Sequence, residues 1–199
     1  MDKLIVFVKA PRPGTVKTRL AVAIGPEEAL AAYHQMVECV LASVSALPGV
    51  ELRFTPDEAR NEIAAWLHPG WTAAPQGEGD LGDRLQRAFA SAFATGAGRV
   101  VGIGSDCPEV TAADIHAAWD ALSENHVVLG PARDGGYWLI GLSQPCPALF
   151  SGIHWSTDSV MKETLDRARQ AGLCVHQLHE LADVDTVAEW REFQSRDMT

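Results

Sequence analysis

The sequence predicts an α/β fold with a mostly parallel central sheet and helices on both faces. Strand-like apolar runs alternate with amphipathic helical patterns from one end of the chain to the other, the pattern of strands joined by helical crossovers. The first run, Leu4–Val8, is almost entirely apolar, as expected of a parallel strand covered on both faces. No low-complexity linker or internal repeat interrupts the alternation, so one domain over residues 1–199 is expected.

The elements follow in order. Gly25-Pro26 opens an Ala-rich helical pattern that runs to about Ala46, and Val50–Phe54 is a second strand. Thr55-Pro56-Asp57-Glu58 has the form of a capping box with proline at the first helical position, which predicts a helix toward Leu67. Leu85, Ala88, Phe89, Ala92 and Phe93 give Arg84–Ala94 helical spacing. Arg99–Gly104 is the third strand, and Thr111 with Asp114 caps the helix behind it. His126–Leu129 and Tyr137–Leu142 are strands joined by a glycine-containing turn. A helix near Asp158–Ala171, a strand near Leu173–Leu178 and a helix capped by Thr186 and Glu189 complete the chain.

Composition narrows the function. The 199 residues carry 16 basic and 26 acidic side chains, a formal charge of −10, and 47% are hydrophobic. A charge of that sign disfavours nucleic acid as a partner, because nucleic-acid binders present a basic face. No apolar stretch approaches the ~20 residues of a membrane span. The N-terminus lacks the basic region, apolar stretch and cleavage site of a signal peptide. The four cysteines are widely spaced. Reduced thiols and a cytoplasmic location are the expectation.

Three segments of unusual composition follow strands, and in open α/β sheets ligands bind outside the carboxyl ends of the strands. The first, Lys9–Leu20, holds Lys9, Arg12, Lys17 and Arg19 and no acid, in a chain that is otherwise acidic. Two prolines and Gly14 set a turn there, and the cations suit phosphate oxygens. It is neither a Walker A motif nor a Gly-x-Gly-x-x-Gly loop. The second group comprises Asp106, placed directly after a buried strand and before Pro108, with Asp183 and Asp185 at a spacing of two. Three carboxylates at one rim repel unless a cation joins them, and Mg²⁺ or Mn²⁺ takes one or two carboxylates together with substrate phosphates. The third, Asp134-Gly135-Gly136, could be a plain hairpin turn or a substrate contact in which Asp134 accepts hydrogen bonds from hydroxyls. A glycine-rich stretch around Asp80 and Arg84 suits a lid, a base-binding loop or, equally, a simple surface loop. Cys107 is a poor nucleophile candidate, having no arginine-rich loop beside it.

Taken together, these motifs resemble one family. Lys9-x-Pro-x-x-Gly14-x-Val-Lys17-Thr-Arg19-Leu, Gly79-Asp80-Leu-Gly-x-Arg84, Gly104-Ser-Asp106-Cys-Pro, Gly130-Pro-Ala-x-Asp134-Gly135-Gly136-Tyr-Trp-Leu-Ile-Gly-Leu and Asp183-Val-Asp185-Thr occur in that order. They are similar to bacterial glycosyltransferases, or selenodomain-associated transferases, of the nucleotide-diphospho-sugar transferase superfamily. The Lys17–Leu20 stretch also resembles 2-phospholactate guanylyltransferases. The resemblance covers Lys9 to about Trp190 and implies a GT-A-like Rossmannoid fold. It further implies a nucleotide over the first-strand loop and a divalent cation held by Asp106, Asp183 and Asp185. One departure stands out: the usual Asp-x-Asp is here Gly104-Ser105-Asp106.

The expected function is therefore metal-dependent transfer from an activated nucleotide, with Mg²⁺ or Mn²⁺ as cofactor. The favoured reaction is glycosyl transfer from a nucleotide sugar to a small-molecule acceptor. The alternatives are nucleotidyl transfer from a nucleoside triphosphate with release of pyrophosphate, or nucleotide binding without turnover. Lys9, Arg12, Gly14, Lys17, Arg19, Asp80 and Arg84 are the expected nucleotide and phosphate contacts. Asp134, Gly135 and Gly136 are the acceptor contacts. Lys17, Arg19 and Asp134 are the catalytic candidates.

Overall fold

The computed structural model describes residues 1–197, so the last two residues of the expected domain lie outside the description. Among the described residues, seven strands form one sheet in the order β3-β2-β1-β4-β6-β5-β7. The strands are β1 (Asp2–Lys9), β2 (Val50–Thr55), β3 (Thr72–Pro75), β4 (Arg99–Gly104), β5 (Val127–Pro131), β6 (Tyr137–Leu142) and β7 (Val175–Gln177). All pairings are parallel except those of β6 with β4 and with β5. The sheet is thus mostly parallel, as the sequence predicts.

Alternation along the strands explains the two covered faces, since successive side chains point to opposite sides. Leu4, Val6 and Val8 pack on one face with α2 (Pro26–Ser43) and α4 (Ala112–Ala121), through Val37, Val40, Ile115 and Trp119. Ile5, Val100 and Ile140 pack on the other with α3 (Leu81–Ala94) and α5 (Val160–Gln170), through Leu85, Phe89 and Ala168. A smaller cluster seats α1 (Thr18–Ile24) and α6 (Val187–Asp197) against α2, with Leu20, Met36, Val184 and Trp190 at its centre.

Of the capping signals read from the sequence, the one at Thr111 is realised. Thr111 and Asp114 form a reciprocal capping box at α4. Asp80 and Asp83 form another at α3, which therefore starts at Leu81 and not at Arg84. Two expectations need correction, and one strand carried no signal. The basic stretch after β1 is not all loop, because its end winds into α1, whose buried Leu20 pins it. β3 is an edge strand of Thr-Ala-Ala-Pro, too short and weakly apolar to stand out.

The helix expected toward Leu67 does not form. The Thr55–Pro56 bond is cis, and two single 3₁₀ turns, Ala59–Asn61 and Ala64–Trp66, replace the helix. These tighter turns seat Ala59, Ile63 and Trp66 in the first core, while Glu58 and Glu62 pair with Arg12. Tertiary packing overrides the local capping signal. Among the described residues no helix is long and apolar enough to cross a membrane.

Candidate active site

The sheet brings the carboxyl ends of β1 and β4, the β5–β6 turn and the segment before α6 to one rim. Ile103 of β4 lies opposite Leu139 of β6, so Asp106 and the Asp134–Gly136 turn share an end. Ala132 bridges Leu181, and the Val184 N–H donates to the Asp106 carbonyl at 2.9 Å. A cleft of about 550 Å³ opens there, lined by Lys9, Asp80, Arg84, Asp106, Asp134 and Asp183 among others.

Lys17 is where the structure departs most from the sequence expectation. It occupies the N-cap of α1 in a left-handed conformation, φ 47° and ψ 46°. Its side chain is 2% exposed, and Nζ lies 2.7 Å from Asp106 Oδ1 and 2.9 Å from Asp185 Oδ1. Burial pushes the ammonium pKa down, but the charges of Asp106 and then Asp185 outweigh it, and the net shift is upward. Lys17 thus clamps two strand-end carboxylates and does not line the cleft.

The other cations divide. Arg19 is largely exposed, 3.8 Å from Asp185. Arg12 is turned away onto Glu62 at 2.6 Å and Glu58 at 3.2 Å, which raise its pKa. Gly14 lies exposed in the turn beyond it. Arg84 donates to the Gly79 carbonyl and to Gln76 Oε1, and Lys9 ends β1 at the cleft. Of the predicted phosphate contacts, Lys9, Asp80 and Arg84 line the cleft. The Asp80 carboxylate is occupied in capping α3. Asp134 and Gly136 line it too, and Asp134 Oδ1 accepts from the Gly136 N–H at 2.9 Å. Gly135 instead backs onto Asp158.

Asp183 is the most perturbed carboxyl at the rim. Burial first, then the charges of Asp106 and Asp134, push its pKa up to about 7, against a smaller opposing pull from Lys17. Four carboxyl groups, Asp106, Asp134, Asp183 and Asp185, thus gather at the rim with one buried ammonium and the exposed Arg19, 3.8 Å from Asp185. The donor set is all hard oxygen with excess negative charge, which fits Mg²⁺ or Mn²⁺. Among the described residues no group of three or more His, Cys, Asp or Glu side chains is arranged to hold an ion. A cation here would take one or two carboxylates and complete its shell from phosphate oxygens and water. Asp185 is absent from the cleft wall, which Asp106 and Asp183 line, and is therefore less available than they are.

A carboxyl raised to about 7 has a pH signature. The folded chain holds a proton that the unfolded chain releases near the ordinary value of about 3.9, so stability falls as pH rises from about 4 to about 7. In EDTA, the urea midpoint is expected to drop across that window. Asp183→Asn should flatten the dependence, and an equally steep profile in that variant would show the assignment to be wrong.

Several contributors carried no motif signal. Tyr33 of α2 accepts the Lys9 N–H at 2.7 Å, donates to the Lys9 carbonyl at 3.1 Å and lies 3.5 Å from Ser105 Oγ, tying the ends of β1 and β4 together. A lone tyrosine in an Ala-rich helix was the available clue. Gln76 spends its amide on the Val8 and Arg53 carbonyls. Trp155, Ser156 and Thr157 line the far wall, and a tryptophan inside a Ser/Thr-rich stretch was their only mark. Burial, then Asp183, pushes the Cys107 thiol up to about 12, which removes it as a nucleophile near neutral pH.

The profile of DUF2064, described as an uncharacterized protein conserved in bacteria, matches residues 40–157. The chain belongs to the DUF2064 family. Comparison with curated proteins finds no match. Among solved structures, this DUF2064 chain is similar to a protein of Desulfovibrio desulfuricans G20 provisionally described as a nucleotide-diphospho-sugar transferase. The two share 32% identity over 99% of this chain and 95% of that one, with a TM-score of 0.89. The fold extends to CMP:2-keto-3-deoxy-manno-octonic acid synthetase complexed with CTP, at 12% identity, 99% and 98% coverage and TM-score 0.62. It extends also to Rv0371c of Mycobacterium tuberculosis H37Rv complexed with manganese, at 16% identity, 98% coverage of both chains and TM-score 0.59. This DUF2064 member has the nucleotide-diphospho-sugar transferase fold.

Proposed function

We propose that the chain is a transferase that uses an activated nucleotide and a divalent cation in the cleft at the ends of β1 and β4. The observation that carries this is the half-buried Asp183 carboxyl facing Asp106 and Asp134 in the cleft that Lys9 and Arg84 line. Asp106 and Asp183 would hold Mg²⁺ or Mn²⁺, which supplies Lewis-acid charge to diphosphate oxygens. Lys9 and Arg84 attract the phosphates, and exposed Arg19 can join them. Lys17 keeps Asp106 in place, and Tyr33 fixes the backbone on which Lys9 stands. Asp134 accepts the hydrogen bond of an acceptor hydroxyl.

Glycosyl transfer from a nucleotide sugar is the leading reaction, in keeping with the description of the 32%-identical relative. Nucleotidyl transfer is the second reading. Gly104 stands where an Asp-x-Asp motif has its first carboxylate, and a fold neighbour was solved with CTP.

Thermal shift with nucleotide sugars and nucleoside triphosphates, with and without Mn²⁺, tests both readings. A ligand at 100 times its Kd adds about 2.7 kcal/mol of stability. A Mn²⁺-dependent shift with one nucleotide sugar, and nucleoside diphosphate as product, is the expected result. A shift with a triphosphate alone, and pyrophosphate as product, selects nucleotidyl transfer. Binding without product selects a non-catalytic module, and no metal-dependent shift at all defeats the proposal.

A further inference from the structure

Away from the phosphate-facing end, the wall of the cleft changes character. Phe7, Leu81, Leu85, Tyr137, Ile140 and Trp155 line it. Trp155 is held in place from two sides. The backbone of α3 passes so close that a Cβ on Gly82 would stand 2.5 Å from the indole Nε1. The Tyr137 ring meets the indole edge-on, with centroids 6.5 Å apart at 86°. Leu81, at the first position of α3, remains 43% exposed beside it. Thr157 Oγ1 donates to the His154 carbonyl at 2.7 Å and lies 2.8 Å from Ser159 Oγ, so that hydroxyl is already engaged.

The charges lining this cleft are unequally placed. Its cations among the described residues are Lys9, at the end of β1, and Arg84, engaged with the Gly79 carbonyl and Gln76 Oε1. Four carboxylates line it, Asp80, Asp106, Asp134 and Asp183, and Asp134 stands on the turn that leads into Tyr137. An anionic group placed against Trp155 and Asp134 would lose its water beside a like charge, in a cleft whose carboxylates outnumber its cations. A flat apolar ring would gain contact with Trp155 and Leu81, and a hydroxyl on it would gain an acceptor in Asp134.

We infer that this half of the cleft takes an acceptor with no phosphate or carboxylate: an uncharged molecule with a flat apolar face against Trp155 and its hydroxyl directed to Asp134. The inference rests on the transferase reading above. In the transfer, the acceptor oxygen forms the new bond to the glycosyl carbon, or to phosphorus in the second reading. Its proton passes to the Asp134 carboxylate. The bond to the nucleoside diphosphate, or to pyrophosphate, breaks with the electron pair leaving on that group.

The test uses 2-phenylethanol and 4-(2-hydroxyethyl)phenyl phosphate, a pair that shares the ring and the free hydroxyl and differs in the anionic group, with binding read by saturation-transfer NMR on the full chain. The alcohol is expected to bind, and the phosphate ester to bind about tenfold more weakly or not at all. Trp155→Ala should weaken the alcohol by a similar factor of about ten, the scale of a lost aromatic contact. Leu81→Asp is the second variant. It changes an exposed residue in the first turn of α3, where an acid suits the helix dipole, so the chain folds while the wall acquires a charge, and alcohol binding should fall. Equal or tighter binding of the phosphate ester overturns the inference, as does alcohol binding that neither variant changes. The two readings fail separately. A Mn²⁺-dependent nucleotide shift alongside tight phosphate-ester binding removes only the acceptor class. Alcohol binding at Trp155 without any nucleotide shift keeps the uncharged subsite and removes the transferase.

Discussion

Lys17→Met is expected to leave a folded but weakened protein whose Mn²⁺ affinity falls about 10–100-fold, the usual loss when a group that orients a metal ligand is removed. The ammonium is 2% exposed and bridges Asp106 and Asp185 at 2.7 and 2.9 Å. Without it two carboxylates confront each other. Breaking a fully buried pair costs about 3–5 kcal/mol. Here the carboxylates are 49% and 41% exposed, so water takes back part of the loss, and about 1–2 kcal/mol is expected. The left-handed backbone at Lys17, φ 47°, persists in the variant, although such a conformation costs a non-glycine residue roughly 1–2 kcal/mol.

The pH profile identifies the charge as the cause. The folded pKa is raised, so the stabilisation is fully present below the ordinary lysine value of about 10.4 and is lost as pH rises through the folded value. Parent and variant should therefore differ in urea midpoint at pH 7 and converge at strongly alkaline pH. Calorimetric titration with Mn²⁺ supplies the second readout. A variant with parental midpoint and parental Mn²⁺ affinity would remove Lys17 from the site altogether.

Gly135→Ala carries the largest expected cost in stability. Gly135 has φ +90°, and an added Cβ would overlap the carbonyl oxygen, Cα and carbonyl carbon of Asp158. Those are backbone atoms, held in place by the Met161 N–H donating to the Gly135 carbonyl at 2.9 Å. The strain of a positive φ, ~1–2 kcal/mol, adds to an overpacking cost of ~1–3 kcal/mol. A chain of this length shifts its Tm by about 2–4 °C per kcal/mol, so a fall of roughly 5–15 °C is expected. Gly136→Ala is the control. Its Cβ would approach the Asp134 carboxylate at 3.1 Å, and its φ lies outside the left-handed range, so a much smaller change should follow. Because Asp158 closely follows Trp155, Ser156 and Thr157, Gly135→Ala should also disturb the acceptor wall. Equal Tm values for the two alanine variants would contradict the contact.

The elements most legible in the sequence were those with a strong local cause. Arg99–Gly104 stands as β4 with the expected bounds because an apolar run between two glycine-containing turns allows little else. Thr111 with Asp114 announced α4 because capping is chemistry within four residues. The 55–67 segment carried a similar signal and failed, since packing of Ala59, Ile63 and Trp66 into the core favoured tight turns. α1 was hidden because its first residues fall in the stretch from Lys9 that reads as a charged loop, and its buried anchor, Leu20, reveals itself only against Met36 and Val184.

By itself, then, the sequence determined the alternating fold, the Thr111–Asp114 capping box and the set of acidic and basic segments that follow strands. Those depend on periodicity and on neighbours a few residues apart. Which charge meets which was decided only by the tertiary structure. Lys17 and Asp185 are far apart along the chain and 2.9 Å apart in space, whereas Arg12, five residues before Lys17, is committed to Glu58 and Glu62. Coulombic pairing depends on distance and burial, and both are set by how the strands are ordered in the sheet.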